Sequence, residues 1–221
     1  EHMQPEDLSY LLNSYFTEMS RIALKYGATI DKFIGDAMLM FFGDPETKGV
    51  KQDAETCVRM AVAMQRRMRK LQKTWSFRGF HDPFHMRIGI NTGFCNVGNF
   101  GSEDRMDYTI IGGEVNLAAR LESQAEPDGI LISADTYALV QDIVQAEARP
   151  PLTAKGIQRE VIPYAIVDVY DEDLGHPDLV RREFKGLRII ADLETIDEAE
   201  RETIVETVEQ LLARLRQGPD K

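Results

Sequence analysis

Cysteine is almost absent from this chain of 221 residues: Cys57 and Cys95 are the only two, with no C-x-x-C pair and no Cys/His cluster. A disulfide framework is excluded on that count, and both thiols are expected to be buried and reduced. Histidine is scarce too, and His2, His81, His85 and His176 share no ligand spacing on one helix face, which argues against a zinc site. No apolar run approaches the ~20 residues needed to cross a bilayer, and no signal-peptide pattern opens the chain. The residues themselves are expected to be soluble and cytoplasmic, as a piece of a longer protein that membrane or sensory segments could precede. Cations are outnumbered, 26 Lys and Arg against 37 Asp and Glu for a net charge of −11, which argues against a nucleic-acid partner. An anionic nucleotide would therefore need a local cationic pocket.

What is present is a globular composition, 43% hydrophobic, enough to bury the core of one domain with or without an appendage. Leu8, Leu11, Leu12, Tyr15, Met19, Ile22, Ala23 and Tyr26 recur at spacings of three and four, which predicts a helix starting after Pro5 and stopping at Gly27. Thr29 to Phe33 and Ala37 to Phe42 read as a hairpin turning at Gly35-Asp36. A second helix is expected from about Asp53 to Lys73, with Arg66, Arg67, Arg69, Lys70 and Lys73 in its final turns, where cations suit the negative end of the helix dipole. Met86 to Asn91 and Phe94 to Val97 read as a strand pair around Thr92-Gly93. A helix after Gly112-Gly113, a strand at Ile130 to Ser133, a short helix from about Asp135 to Val144 and a last strand from Val161 to Tyr170 follow. Helices mixed with hairpins predict an α+β fold with helices packed on a largely antiparallel sheet. From about Asp171 the composition turns charged, so residues 171–221 are expected to form a C-terminal extension. Its helix at 197–217, with Ile204, Val208, Leu211, Leu212 and Leu215 in line, needs a partner surface.

The most informative stretch is residues 105–122, which places Asn116 and Arg120 four apart and hence on one face of a helix opening at Gly112-Gly113. Arg120 offers forked donors suited to phosphate oxygens. Alone, such a pair is an ordinary solvated helix face. It follows Asp31-Lys32-Phe33-Ile34-Gly35-Asp36 and Ile88-Gly89-Ile90-Asn91-Thr92-Gly93 in order, and together the three motifs resemble the catalytic domain of the class III nucleotidyl cyclases, from about Leu8 to Tyr170. The resemblance implies a ferredoxin-like cyclase fold over residues 1–170 and a lyase that converts ATP to 3′,5′-cyclic AMP and pyrophosphate.

The same resemblance implies a role for each matching residue. Asp36 is one of two metal aspartates for two divalent cations, Mg2+ or Mn2+. Lys32 and Thr109 read the purine edge, and Lys155 binds the triphosphate. Asn116 orients the ribose, and Arg120 stabilises charge on the α-phosphate. A lysine donor satisfies N1 of adenine, whereas guanine carries a proton there, so the Lys/Thr pair points to ATP over GTP. It is similar to the subgroup that includes bicarbonate-stimulated enzymes. The family arrangement implies a head-to-tail homodimer with two shared sites, Asp36 acting from one subunit and Lys32, Thr109, Asn116 and Arg120 from the other.

One departure qualifies the expectation. The family's other metal aspartate lies on a strand before the first long helix, upstream of Glu1, so the 221 residues by themselves are expected to be weakly active or inactive. The competing reading is a cyclase-homology module that binds nucleotide or dimerises without chemistry. A diguanylate cyclase or polymerase-like palm is disfavoured, because no Gly-Gly-Asp-Glu-Phe hairpin occurs and Gly112-Gly113-Glu114 opens a helix instead.

Overall fold

A computed structural model of the protein describes residues 4–80, 84–152, 160–169, 179–184, 187–192, 196 and 198–217. The chain divides into two compact units, Glu1–Tyr170 and Asp171–Lys221.

In the first unit, helix α1 (Pro5–Tyr26) begins on a proline whose fixed φ suits the first helical position, and Glu6 and Asp7 face the positive end of the helix dipole. Gly27 ends it at φ 79°, a left-handed conformation that glycine adopts without steric penalty. Leu11, Met19 and Ala23 are buried against Met60, Met64, Met68, Leu71 and Trp75 of helix α2 (Val50–Phe77). Another face of α2, through Ala54, Val58 and Ala61, enters a second cluster with Ile90, Ile132, Val140, Val144 and Val169. Helix α2 is therefore the spine between two cores. It runs past the expected end at Lys73 because Trp75 is fully buried and extends the apolar stripe by a turn. The basic run consequently lies before the last turn, which carries no basic residue, and Arg67 Nε instead pairs with Glu18 Oε2 of α1 at 2.6 Å.

The hairpin of β1 (Thr29–Ile34) and β2 (Ala37–Phe41) forms as expected, with a bulge between Ile30 and Lys32. Strand β3 (Ile88–Ile90) pairs parallel to β6 (Ile130–Ile132), and β8 (Tyr164–Val169) lies antiparallel between β6 and β7 (Val144–Ala148), in the order β3-β6-β8-β7. Strands β4 (Asn96–Ser102) and β5 (Arg105–Ile111) form a separate antiparallel ladder. Among the described residues no backbone strand pairing joins one of these ladders to another. The expected pairing of Met86–Asn91 with Phe94–Val97 is wrong: the backbone of β3 is taken by β6, and that of β4 by β5. Helix α3 (Gly113–Gln124) buries Leu117 and Leu121, and α4 (Ala134–Val140) is capped by the Ser133 hydroxyl, which accepts from the Thr136 N–H at 3.2 Å. The α+β class and the largely antiparallel pairing hold.

The second unit contains a hairpin of β9 (Leu179–Phe184) and β10 (Leu187–Asp192), which charged composition concealed, and helix α5 (Glu198–Gln217). Val208, Leu211, Leu212 and Leu215 of α5 are exposed. No helix among the described residues is long and apolar enough to cross a membrane.

Candidate active site

The bulge in β1 falls at Asp31, the extra residue between Ile30, opposite Met40, and Lys32, opposite Leu39. Bulges bend a strand and re-aim a side chain. Here the Asp31 side chain is fully buried. Its Oδ2 accepts from the Thr109 hydroxyl at 2.6 Å and from the Ile110 N–H at 3.1 Å, both on β5. Its Oδ1 lies 3.3 Å from Lys32 Nζ, an approach whose geometry falls short of a hydrogen bond, and among the described residues no other partner satisfies that oxygen. Lys32 and Thr109, 77 positions apart, are thus gathered around one carboxylate. Lys32 keeps a half-exposed side chain, whereas Thr109 is nearly buried. Sequence reasoning missed Asp31; the available signal was an acidic residue inside a strand, where aspartate is depleted.

Asp36 stands exposed at the tip of the same hairpin, after Gly35 at φ 63°. Its negative charge is felt on α1: the Tyr15 hydroxyl is pushed up to about 12, chiefly by burial, then by Asp36 and Glu122. Among the described residues no group of three or more His, Cys, Asp or Glu side chains could hold a metal ion. As an oxygen donor on a tight turn, Asp36 fits as a single ligand to a hard cation of the kind that completes its shell with phosphates and water.

Helix α3 presents Asn116 and Arg120 on its exposed side, about 100° around the helix from the buried Leu117 and Leu121. What seats this helix is the Ile88–Gly93 motif. A Cβ on Gly89 would lie 2.2 Å from Ala118 O and Glu122 N, so β3 and α3 touch backbone to backbone. A Cβ on Gly93 would meet Glu114 Cγ at 2.5 Å. Between them Asn91 Nδ2 donates to Glu114 O at 3.1 Å and to Glu114 Oε2 at 2.7 Å, clamping the first turn of α3. Thr92 continues the lock through its hydroxyl, 3.0 Å from that of Thr136 on α4.

The expected triphosphate lysine, Lys155, lies outside the described residues. Both cysteines are free, and each residue is half-buried rather than buried. Burial nonetheless pushes the Cys57 thiol up to about 12, and burial with Glu114 raises that of Cys95, so neither favours the nucleophilic thiolate. His85 Nδ1 is spent on Asp128 Oδ2 at 2.7 Å.

These motifs lie in a fold shared with known proteins. The crystal structure of the adenylyl cyclase CyaB from P. aeruginosa is similar, with a TM-score of 0.74 and 51% identity, covering 76% of this chain and 85% of that one. The guanylyl cyclase Cya2 gives a TM-score of 0.71 at 36% identity, over 76% and 84% of the two chains. Among curated proteins, Adenylate cyclase 1 of Rhizobium meliloti (strain 1021) is 30% identical over 171 residues, which is 76% of this chain but 25% of that protein. The chain thus spans about a quarter of that relative's length. Residues 1–168 match the family described as the Adenylate and Guanylate cyclase catalytic domain. With the three motifs, the α+β framework and this match running over the same residues, the chain belongs to the class III adenylyl and guanylyl cyclase catalytic domain family.

Proposed function

We propose that the chain is an adenylate cyclase domain that converts ATP to 3′,5′-cyclic AMP and pyrophosphate at sites shared by two copies. Both adenylyl and guanylyl cyclases are among its relatives, so the choice of base rests on this chain's own residues. The observation that carries the reading is the gathering of Lys32 and Thr109 around Asp31. A lysine has donors only, which match the N1 acceptor of adenine and oppose the N1–H of guanine. Leaving buried polar groups mispaired is costly, and that cost is what discriminates.

In this reading Asp36 contributes a carboxylate to divalent cations, Mg2+ or Mn2+, with a second aspartate expected ahead of Glu1. When bound, the cations lower the pKa of the ribose 3′-hydroxyl and neutralise phosphate charge. Asn116 orients the ribose so that its 3′-oxygen faces the α-phosphorus. Arg120, one turn further along α3, donates to the α-phosphate oxygens as charge accumulates there, a preorganised electrostatic role. Lys155 binds the departing pyrophosphate. The 3′-oxygen forms the new bond to the α-phosphorus as its proton passes to water, and the bond from the α-phosphorus to the α,β-bridging oxygen breaks, its electron pair leaving with pyrophosphate.

The shared-site arrangement is supported by apolar surface near these residues. Phe33 and Ile34 beside Asp36, and Phe94, Met106 and Ile111 on or beside the β4–β5 ladder, are exposed in the single chain. An apolar surface of this kind fits a partner, and a second copy is the occupant this reading requires.

The test is formation of cyclic nucleotide from ATP and from GTP, with Mg2+ or Mn2+, by this chain beside one extended upstream of Glu1 by its natural sequence. Cyclic AMP with little cyclic GMP is expected, most strongly from the longer chain. Cyclic GMP as the main product, or no cyclic nucleotide from either chain, would overturn the reading.

A further inference from the structure

Asp31 does more than close a junction between strands. A hydroxyl has one proton to give and two lone pairs to offer. The Thr109 proton goes to Asp31 Oδ2 at 2.6 Å. The Ile110 N–H, bonded to the same oxygen at 3.1 Å, prevents the carboxylate from turning away. The bulge in β1 makes both bonds possible by inserting Asp31 between the paired positions of Ile30 and Lys32, and the side chain is fully buried. A carboxylate has no proton to return, so Thr109 cannot reverse its polarity. What remains for a ligand is a lone pair. The 6-amino group of adenine is a donor, and O6 of guanine is an acceptor.

We infer that Asp31 is a positioning residue that locks the Thr109 hydroxyl as an acceptor and thereby sets the purine preference of the site. This rests on the purine-reading assignment made above. Without Asp31 the hydroxyl rotates freely and serves either base. The other carboxylate oxygen, 3.3 Å from Lys32 Nζ, attracts the ammonium by charge without a hydrogen bond, so the lock falls on Thr109 alone. One buried acid then orients the Thr109 half of the purine contact while standing behind it.

Two triphosphates isolate the polarity of Thr109 from bulk. N6-methyl-ATP and 6-methoxypurine riboside triphosphate carry the same methyl at position 6, and both keep an N1 acceptor for Lys32. The first retains an N–H donor at position 6; the second has only an acceptor oxygen there. In competition against a fluorescent ATP derivative, the wild-type protein is expected to bind the N6-methyl compound about tenfold or more tightly than the methoxy compound. Asp31→Ala is expected to shrink that ratio severalfold, and Asp31→Asn, which keeps an oxygen for Thr109 and Ile110, to preserve most of it. Equal binding of the two analogues by the wild type, with ATP still bound, overturns the role of Asp31 alone. A folded Asp31→Ala protein that keeps the full ratio does the same. Should Asp31→Ala fail to fold, the wild-type comparison still decides. If neither ATP nor any analogue competes, the purine site itself is refuted and Asp31 is a structural clasp.

Discussion

The two ends of the proposed site are built differently. At the purine end, a fully buried carboxylate fixes Thr109 and the backbone of β5 by hydrogen bonds and lies 3.3 Å from the ammonium of Lys32. At the phosphate end, Asp36, Asn116 and Arg120 are exposed, on a hairpin tip and a helix face. The contrast separates two kinds of order. Base selection needs polar groups of fixed direction before the nucleotide arrives, and the fold supplies that within one chain. Charge neutralisation needs oppositely charged groups brought around a triphosphate, and in the proposed function that ordering is left to nucleotide, cations and a second subunit. Only the seating of α3 on β3 is settled in advance, through Gly89, Asn91 and Gly93.

The largest effects are expected at the exposed end. If Arg120 has the proposed role, Arg120→Ala removes a donor to the developing charge and should lower cyclic AMP turnover by roughly a hundredfold to a thousandfold, with the melting temperature nearly unchanged. A loss of activity that tracked a loss of folding would make Arg120 structural and blur the contrast. Next comes the seat of the helix. Gly89→Ala places a methyl 2.2 Å from backbone atoms of Ala118 and Glu122, which cannot rotate aside. The strand or the helix must move, at a cost of about 1–3 kcal/mol in denaturant unfolding. Misplacing Asn116 and Arg120 by even an ångström is expected to lower turnover by on the order of a hundredfold.

Asn91→Ala is expected to be milder. It deletes the donor to Glu114 O and Oε2 and should cost about 1–2 kcal/mol, again read from denaturant unfolding, with a smaller loss of activity. The smallest effect belongs to Glu18, which pairs with Arg67 of α2. Its hydrogen bond to Arg67, more than the neighbouring charges of Arg67 and Arg21, holds its carboxyl below the usual range. A depressed carboxyl adds stability above its unfolded pKa, near 4.5, and loses it as pH falls through the lower folded value. Glu18→Gln should therefore cost less than about 1 kcal/mol at neutral pH, and the difference from wild type should fade in acid.

The sequence already disclosed the elements whose signals are local. The three-and-four spacing from Leu8 to Tyr26, ended by Gly27, marks α1 unambiguously, and Gly35-Asp36 between two apolar runs marks the first hairpin. Pairing at a distance was not legible. Asn91-Thr92-Gly93 has the composition of a turn, yet Asn91 is used against Glu114 and Gly93 makes room for that same side chain. Strand β7, Val-Gln-Ala-Glu-Ala, carries too little apolar or β-branched character to announce itself, and β9 and β10 are charged. In the candidate site, resemblance indicated Lys32, Thr109, Asn116 and Arg120, but Asp31 emerges only once a bulge and a strand 78 positions away meet it.

The shared site is tested most directly by mixing two disabled chains. Asp36→Ala and Arg120→Ala proteins, each inactive alone, should regain cyclic AMP formation when combined, because one of the two sites in the heterodimer then carries an intact Asp36 from one chain and an intact Arg120 from the other. Continued inactivity of the mixture, under conditions where the heterodimer is shown to form and the parent chain is active, would contradict the account.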